Sequence, residues 1–77
     1  MQETKKSHSL SELRKARSLT QEQLVEGLGM AQGDISKLER RADLYVSTLR
    51  RYIEAVGGEL ELVARFPTGE NIPVVLD

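Results

Sequence analysis

Apolar residues recur along this 77-residue chain with two different periods. Over most of its length they fall three and four apart, the spacing that lines one face of an α-helix. Near the end they alternate, the spacing of a half-buried strand. The opening eight residues, MQETKKSH, follow neither period and are expected to be a frayed lead-in, residues 1–8. Ser9 and Glu12 then stand three apart as a capping box and open a helix to about Arg17, with Leu10, Leu13 and Ala16 facing inward. Thr20 and Gln23 repeat that signature for a second helix carrying Leu24, Val25 and Leu28. Gly29 closes it, since a residue free to take positive φ suits a helix end. A third helix runs from about Gln32 to Arg40. Ser47 is placed to cap a fourth, in which Leu49, Tyr52, Ile53 and Val56 fit an amphipathic face before Gly57-Gly58 stops it.

The period changes at GELELVARF. Leu60, Leu62, Ala64 and Phe66 share one strand face, and Glu59, Glu61, Val63 and Arg65 the other. FPTG has proline second and glycine fourth, as in a β-turn, and Ile72, Val74 and Leu76 alternate beyond it. The pattern predicts four helices followed by a β-hairpin. A lone hairpin is marginal in water, and Pro73 cannot donate to a ladder, so its strand belongs at an edge. The other edge, along residues 59–66, is then the natural docking surface. A symmetric homodimer is expected there, with Leu60, Leu62 and Phe66 as its dimerisation residues, buried against the fourth helix. The competing arrangement is a monomer whose hairpin folds onto its own helices.

Composition narrows the possibilities. A chain this short makes one domain near the size where staples or association become necessary. It has no cysteine, and its one histidine, His8, lies in the polar lead-in, so a second chain is the remaining device and no metal is expected. No apolar run approaches a membrane span or a signal segment, and a cytoplasmic location without membrane contact is expected. Residues 1–51 hold ten Lys/Arg against seven Asp/Glu, whereas residues 52–77 hold one Arg against five acids. A mildly basic front and an acidic tail suit a polyanion-binding module joined to something else. No nucleophile–base pair or phosphate loop is present. Glu59 and Glu61 read as solvated charges, and Tyr45 and Tyr52 as packing residues. The chain is expected to be no enzyme and to need no cofactor.

The third helix holds the sharpest chemical signal. At 100° per residue from Gln32, Ile35 and Leu38 point toward about 270°, and Gly33, Ser36, Lys37 and Arg40 cluster around ~90°. A residue without a side chain, a hydroxyl and two cations share that stripe, with Gln32 and Asp34 flanking it. Cations suit phosphates, and Gln, Ser and bidentate Arg suit base edges. A capped helix, a glycine turn and a second helix have the dimensions of a helix-turn-helix.

The stretch LTQEQLVEGLGMAQGDISKLERR resembles the helix-turn-helix of the Xre/Cro-like repressors, over roughly residues 10–56. The resemblance implies a mainly α, four- to five-helix lambda-repressor-like domain over residues 9–57, with residues 58–77 as a hairpin dimerisation element. It implies that Gln32 grips adenine, with Gly33, Ser36 and Lys37 also at the groove, where helical spacing adds Arg40. Thr20, Gln21 and Arg41 would face the DNA backbone, Gln21 holding phosphate or bracing Gln32. Arg14 and Glu39 sit where the family has a structural pair tying helix one to helix three. STLRRYIEAVGGELELVARFP further resembles HigA-like antitoxins of toxin–antitoxin operons. That likeness implies a repressor of its own promoter, bound to double-stranded palindromic operator DNA, that neutralises a RelE/HigB-type ribonuclease toxin. A stand-alone or phage-type regulator, or an interaction adapter that has lost DNA binding, are the alternatives. Three positions depart from the family pattern: Ala31 is a poor N-cap, Gly33 weakens the helix, and Asp34 puts a negative charge beside the groove face.

Overall fold

The computed structural model describes residues 7–76. Of the expected lead-in, residues 1–6 lie outside that range. Four helices are followed by two strands: α1 Leu10–Ala16, α2 Gln21–Leu28, α3 Gln32–Glu39, α4 Val46–Ala55, β1 Leu62–Arg65 and β2 Asn71–Val74. Both expected capping boxes form. The Ser9 N–H donates to Glu12 Oε1 at 2.8 Å and the Glu12 N–H to Ser9 Oγ at 3.2 Å. Thr20 and Gln23 exchange the same pair at 2.7 and 3.2 Å. Each box satisfies two donors that the first helical turn leaves without partners. Gly29 ends α2 at φ 66°, in the left-handed region, and its N–H reaches the Val25 carbonyl.

The core lies among α2, α3 and α4, built from Leu24, Leu28, Ile35, Leu38, Tyr52 and Val56, with Leu10, Leu19, Val25 and Ile53 packed around it. Burying aliphatic side chains of this size is worth roughly 1.5–3 kcal/mol apiece. Ile35 (0% exposed) and Leu38 therefore hold a helix whose other residues contribute little apolar surface. Arg51 on α4 adds a polar tie: its Nη2 donates to the Leu28 carbonyl at 2.6 Å, satisfying the end of α2.

Three local expectations are corrected. Ala16 is exposed, because α1 ends there and the chain turns away through Ser18 at φ 60°. Ser47 does not cap α4. The helix starts at Val46 with Tyr45 as N-cap, and the Leu49 N–H already bonds the Tyr45 carbonyl. Leu44, packed against the core, anchors that approach, so the first turn closes before the serine. Tyr45 is no packing residue either, with 82% of its surface exposed.

The hairpin follows the alternation read from sequence. In β1, Leu62 and Ala64 are half-buried and Val63 and Arg65 exposed. The turn closes with the Gly69 N–H on the Phe66 carbonyl at 2.9 Å, Gly69 taking φ 97°. The antiparallel register pairs Leu62 with Val74, Val63 with Pro73, Ala64 with Ile72 and Arg65 with Asn71. Cross-strand partners share a face, so Leu62, Ala64, Ile72 and Val74 form one apolar surface. Leu60 reaches a groove lined by Leu13, Ile53 and Val56, whereas Phe66 is 45% exposed within the chain, so its expected burial is not met there. The Phe66 N–H bonds the Glu70 carbonyl, so by ladder alternation the Val63–Pro73 pair is a non-hydrogen-bonded one. The missing N–H of Pro73 therefore falls on the outer edge of β2, and the N–H groups of Val63 and Arg65 face the outer edge of β1.

Candidate nucleic-acid interface

The turn at Gly29 sets α3 against α2 so that only the Ile35–Leu38 side is buried. Gln32, Gly33, Asp34, Lys37 and Arg40 are exposed, and Ser36 is half-buried. The structure thus leaves four of the five sequence-selected residues of this helix exposed, with Ser36 half-covered beside them. A Cβ added at Gly33 would meet nothing within 4 Å, so no neighbour in the protein requires glycine there. Arg40 is the C-cap of α3 rather than its last turn. Arg41, exposed just beyond, lines an open groove with Asp34, Lys37 and Tyr45. The N-cap, Ala31, makes no side-chain cap bond, as its chemistry dictates.

Behind this surface lies a buried polar cluster. Arg14 Nε meets Glu39 Oε2 at 2.7 Å and Arg14 Nη2 meets Oε1 at 3.2 Å, a two-pronged ion pair. Arg14 Nη1 also donates to the Leu19 carbonyl at 2.8 Å. The expected structural pair is therefore formed, and it ties α1, the α1–α2 loop and α3 together. Tyr52, 0% exposed, donates from its hydroxyl to Glu39 Oε2 at 2.6 Å, and that hydroxyl lies 3.2 Å from the Leu10 carbonyl. Gln21 donates from Nε2 to Glu39 Oε1 at 3.0 Å and accepts at Oε1 from Gln32 Nε2 at 3.2 Å. Of the two roles expected for Gln21, the brace on Gln32 is present. Thr20, assigned to the DNA backbone, spends its hydroxyl on the Gln23 capping box.

These contacts shift the ionisable groups. Burial pushes the Glu39 carboxyl up, but hydrogen bonds from Arg14, Tyr52 and Gln21 outweigh it and hold the group below its ordinary range. The hydrogen bond to Glu39 raises Arg14 against the opposing effect of burial. Burial and the bond to Glu39 both raise the Tyr52 phenol, so it remains a donor. Sequence reasoning gave Tyr52 a packing role only and missed this bond. The available signal was that a tyrosine at the centre of a buried helix face needs a partner for its hydroxyl.

Comparison with known proteins fits this geometry. Residues 3–65 match the helix-turn-helix domain family. A solved HigA antitoxin, described for DNA bending induced by its unique dimerization, superposes with a TM-score of 0.81 at 30% identity, covering 96% of this chain and 100% of that one. This chain belongs to the Xre-like helix-turn-helix proteins, among the HigA antitoxins. A DNA-bound antitoxin HigA3 is similarly close, with TM-score 0.80 and 31% identity over 94% of this chain and 95% of that one. Two Mycobacterium tuberculosis proteins bearing the antitoxin names HigA2 and HigA3 are 37% and 42% identical to it, each over 84% of the chain. The chain spans 66% and 61% of those two relatives' lengths. The helix-turn-helix antitoxins are not an enzyme family.

Proposed function

We propose that this chain is a sequence-specific, dimeric DNA-binding repressor that serves as the antitoxin of a toxin–antitoxin operon. The observation that carries this reading is the exposed outer face of α3, with Gln32, Gly33, Lys37 and Arg40 unobstructed on a helix braced from behind. In this reading α3 enters the major groove. Gln32, Ser36 and Arg40 address base edges, Lys37 addresses a phosphate or guanine, and Gly33 permits close approach. Thr20, Gln21 and Arg41 lie toward the sugar–phosphate backbone. The DNA-bound and dimerising relatives support the reading.

Two copies would pair along the free edge of β1, presenting two α3 helices to a palindromic operator as two-fold readers require. The apolar hairpin face carrying Leu62, with Leu60 and Phe66 beside it, would be covered in that assembly. Autorepression and neutralisation of a RelE/HigB-type ribonuclease complete the proposal, supported by the antitoxin names of the relatives.

Gel retardation of the DNA upstream of the gene, at two salt concentrations, tests the first half. Binding that weakens steeply with salt is expected, and no retardation even at low salt would end it. Purification from the native operon tests the second half. A small basic protein encoded beside this one is expected to co-purify, and its absence from the eluate would leave a stand-alone regulator.

A further inference from the structure

The Glu39 carboxylate accepts four hydrogen bonds, from Arg14 Nε and Nη2, Tyr52 Oη and Gln21 Nε2. An ionised carboxylate has about four lone-pair sites and can only accept. It therefore forces the amine end of Gln21 inward, which turns Gln21 Oε1 outward to Gln32. An oxygen can only accept in turn, so Gln32 must offer it an amine proton, as the 3.2 Å contact records. Gln32 is left with one N–H and its carbonyl oxygen facing outward. Adenine presents an N6 donor beside an N7 acceptor in the major groove, which is complementary to that pair. Guanine presents two acceptors and is not.

We propose that Glu39 is a positioning residue for base recognition: through Gln21 it sets which way round Gln32 presents its amide, selecting adenine over guanine at the contacted pair. This rests on the DNA-binding reading of α3. A neutral amide at position 39 carries a donor of its own. It admits the reversed chain, in which Gln21 turns its oxygen inward and its amine toward Gln32. Gln32 then shows two outward N–H groups, a match for guanine.

The test uses a duplex enriched from a random library by the wild-type protein, with each adenine replaced by guanine in turn. Wild type is expected to lose about tenfold or more in affinity at one position. Gln21→Met, similar in shape but without the amide, is expected to reduce that loss to about twofold at that position alone, whatever happens to overall affinity. Glu39→Gln is expected to shrink or reverse it there. In the free protein, the Gln32 side-chain amide should show one proton protected from exchange, lost in Gln21→Met. Should both variants weaken all duplexes by one common factor, Glu39 is only structural and the proposal is overturned. If Glu39→Gln does not fold by circular dichroism, Gln21→Met decides alone. Failure of wild type to enrich any duplex would sink the DNA reading and base selection with it. The Gln32 amide signals would still report separately whether the relay exists.

Discussion

Arg14 and Glu39 meet at two points, Nε to Oε2 at 2.7 Å and Nη2 to Oε1 at 3.2 Å, with 8% and 3% of their side chains exposed. A pair this sheltered costs much to desolvate, and its members depend on each other. Arg14→Ala would leave a buried carboxylate facing Tyr52 and Gln21 alone. A loss of about 3–5 kcal/mol is expected, read from urea denaturation. Arg14→Lys keeps the charge but loses the fork and should fall between the two. An Arg14→Ala protein as stable as wild type would mean that the pair contributes nothing.

The same carboxylate sets an acid limit. Glu39 sits below its ordinary value of 4.5 in the fold, so folding favours its ionised form. Such a group contributes stability above its unfolded value and loses it as pH falls through the folded one. Melting temperature should be insensitive to Glu39 between pH 7 and about 5, then fall below roughly pH 4.5. Thermal melts of wild type and Glu39→Gln across pH 3–7 check this. The variant, though less stable, should show a shallower acid decline.

Tyr52→Phe keeps the buried ring and removes the donor to Glu39. The expected cost is about 1.5–3 kcal/mol, the range for a hydrogen bond to a charged group. The acid decline should also be shallower and end at higher pH, since one of the contacts that lowers Glu39 is gone. Equal stability of the two proteins in denaturant would show that the 2.6 Å contact carries no energy.

Gly33 and Ala31 weaken α3 for different reasons, and substitution separates them. Ala31→Ser supplies the absent cap and should stabilise the protein by about 1 kcal/mol, with DNA binding held or improved. Gly33→Ala meets open space in the protein and should stabilise α3 by up to about 1 kcal/mol. If α3 approaches base edges at Gly33, that variant should nonetheless bind operator less tightly. Thermal melts and a binding titration on both variants give the answer, and tighter binding by Gly33→Ala would remove the close-approach role.

The β1 edge gives an independent handle on assembly. Val63 faces its N–H to that edge, opposite the edge that Pro73 blocks. Val63→Pro should therefore convert a micromolar dimer to monomer by sedimentation, with helical circular dichroism unchanged. A wild-type monomer at that concentration, or a Val63→Pro dimer, would count against pairing through this strand.

Much of this molecule was legible one segment at a time. Ser9–Glu12 and Thr20–Gln23 encode their own helix starts, Gly29 its stop, and the alternation from Leu60 to Phe66 its strand, because each depends on groups a few residues apart. The outward face of α3 was legible for the same reason: Ile35 and Leu38 name the inward side, and geometry supplies the rest. Resemblance extended the reading to the Arg14–Glu39 pair. Other features depended on how the helices cross. Tyr52 reaches Glu39 from α4, Arg51 reaches the end of α2, and Gln21 lies between Glu39 and Gln32. Tyr45, apolar enough to suggest packing, is left outside as the N-cap of α4, while Tyr52, within that helix, is enclosed. Periodicity reports which side of a helix turns inward but carries no information on which polar atom waits there. That partner is chosen by the distance and angle between helices, which only the assembled core determines.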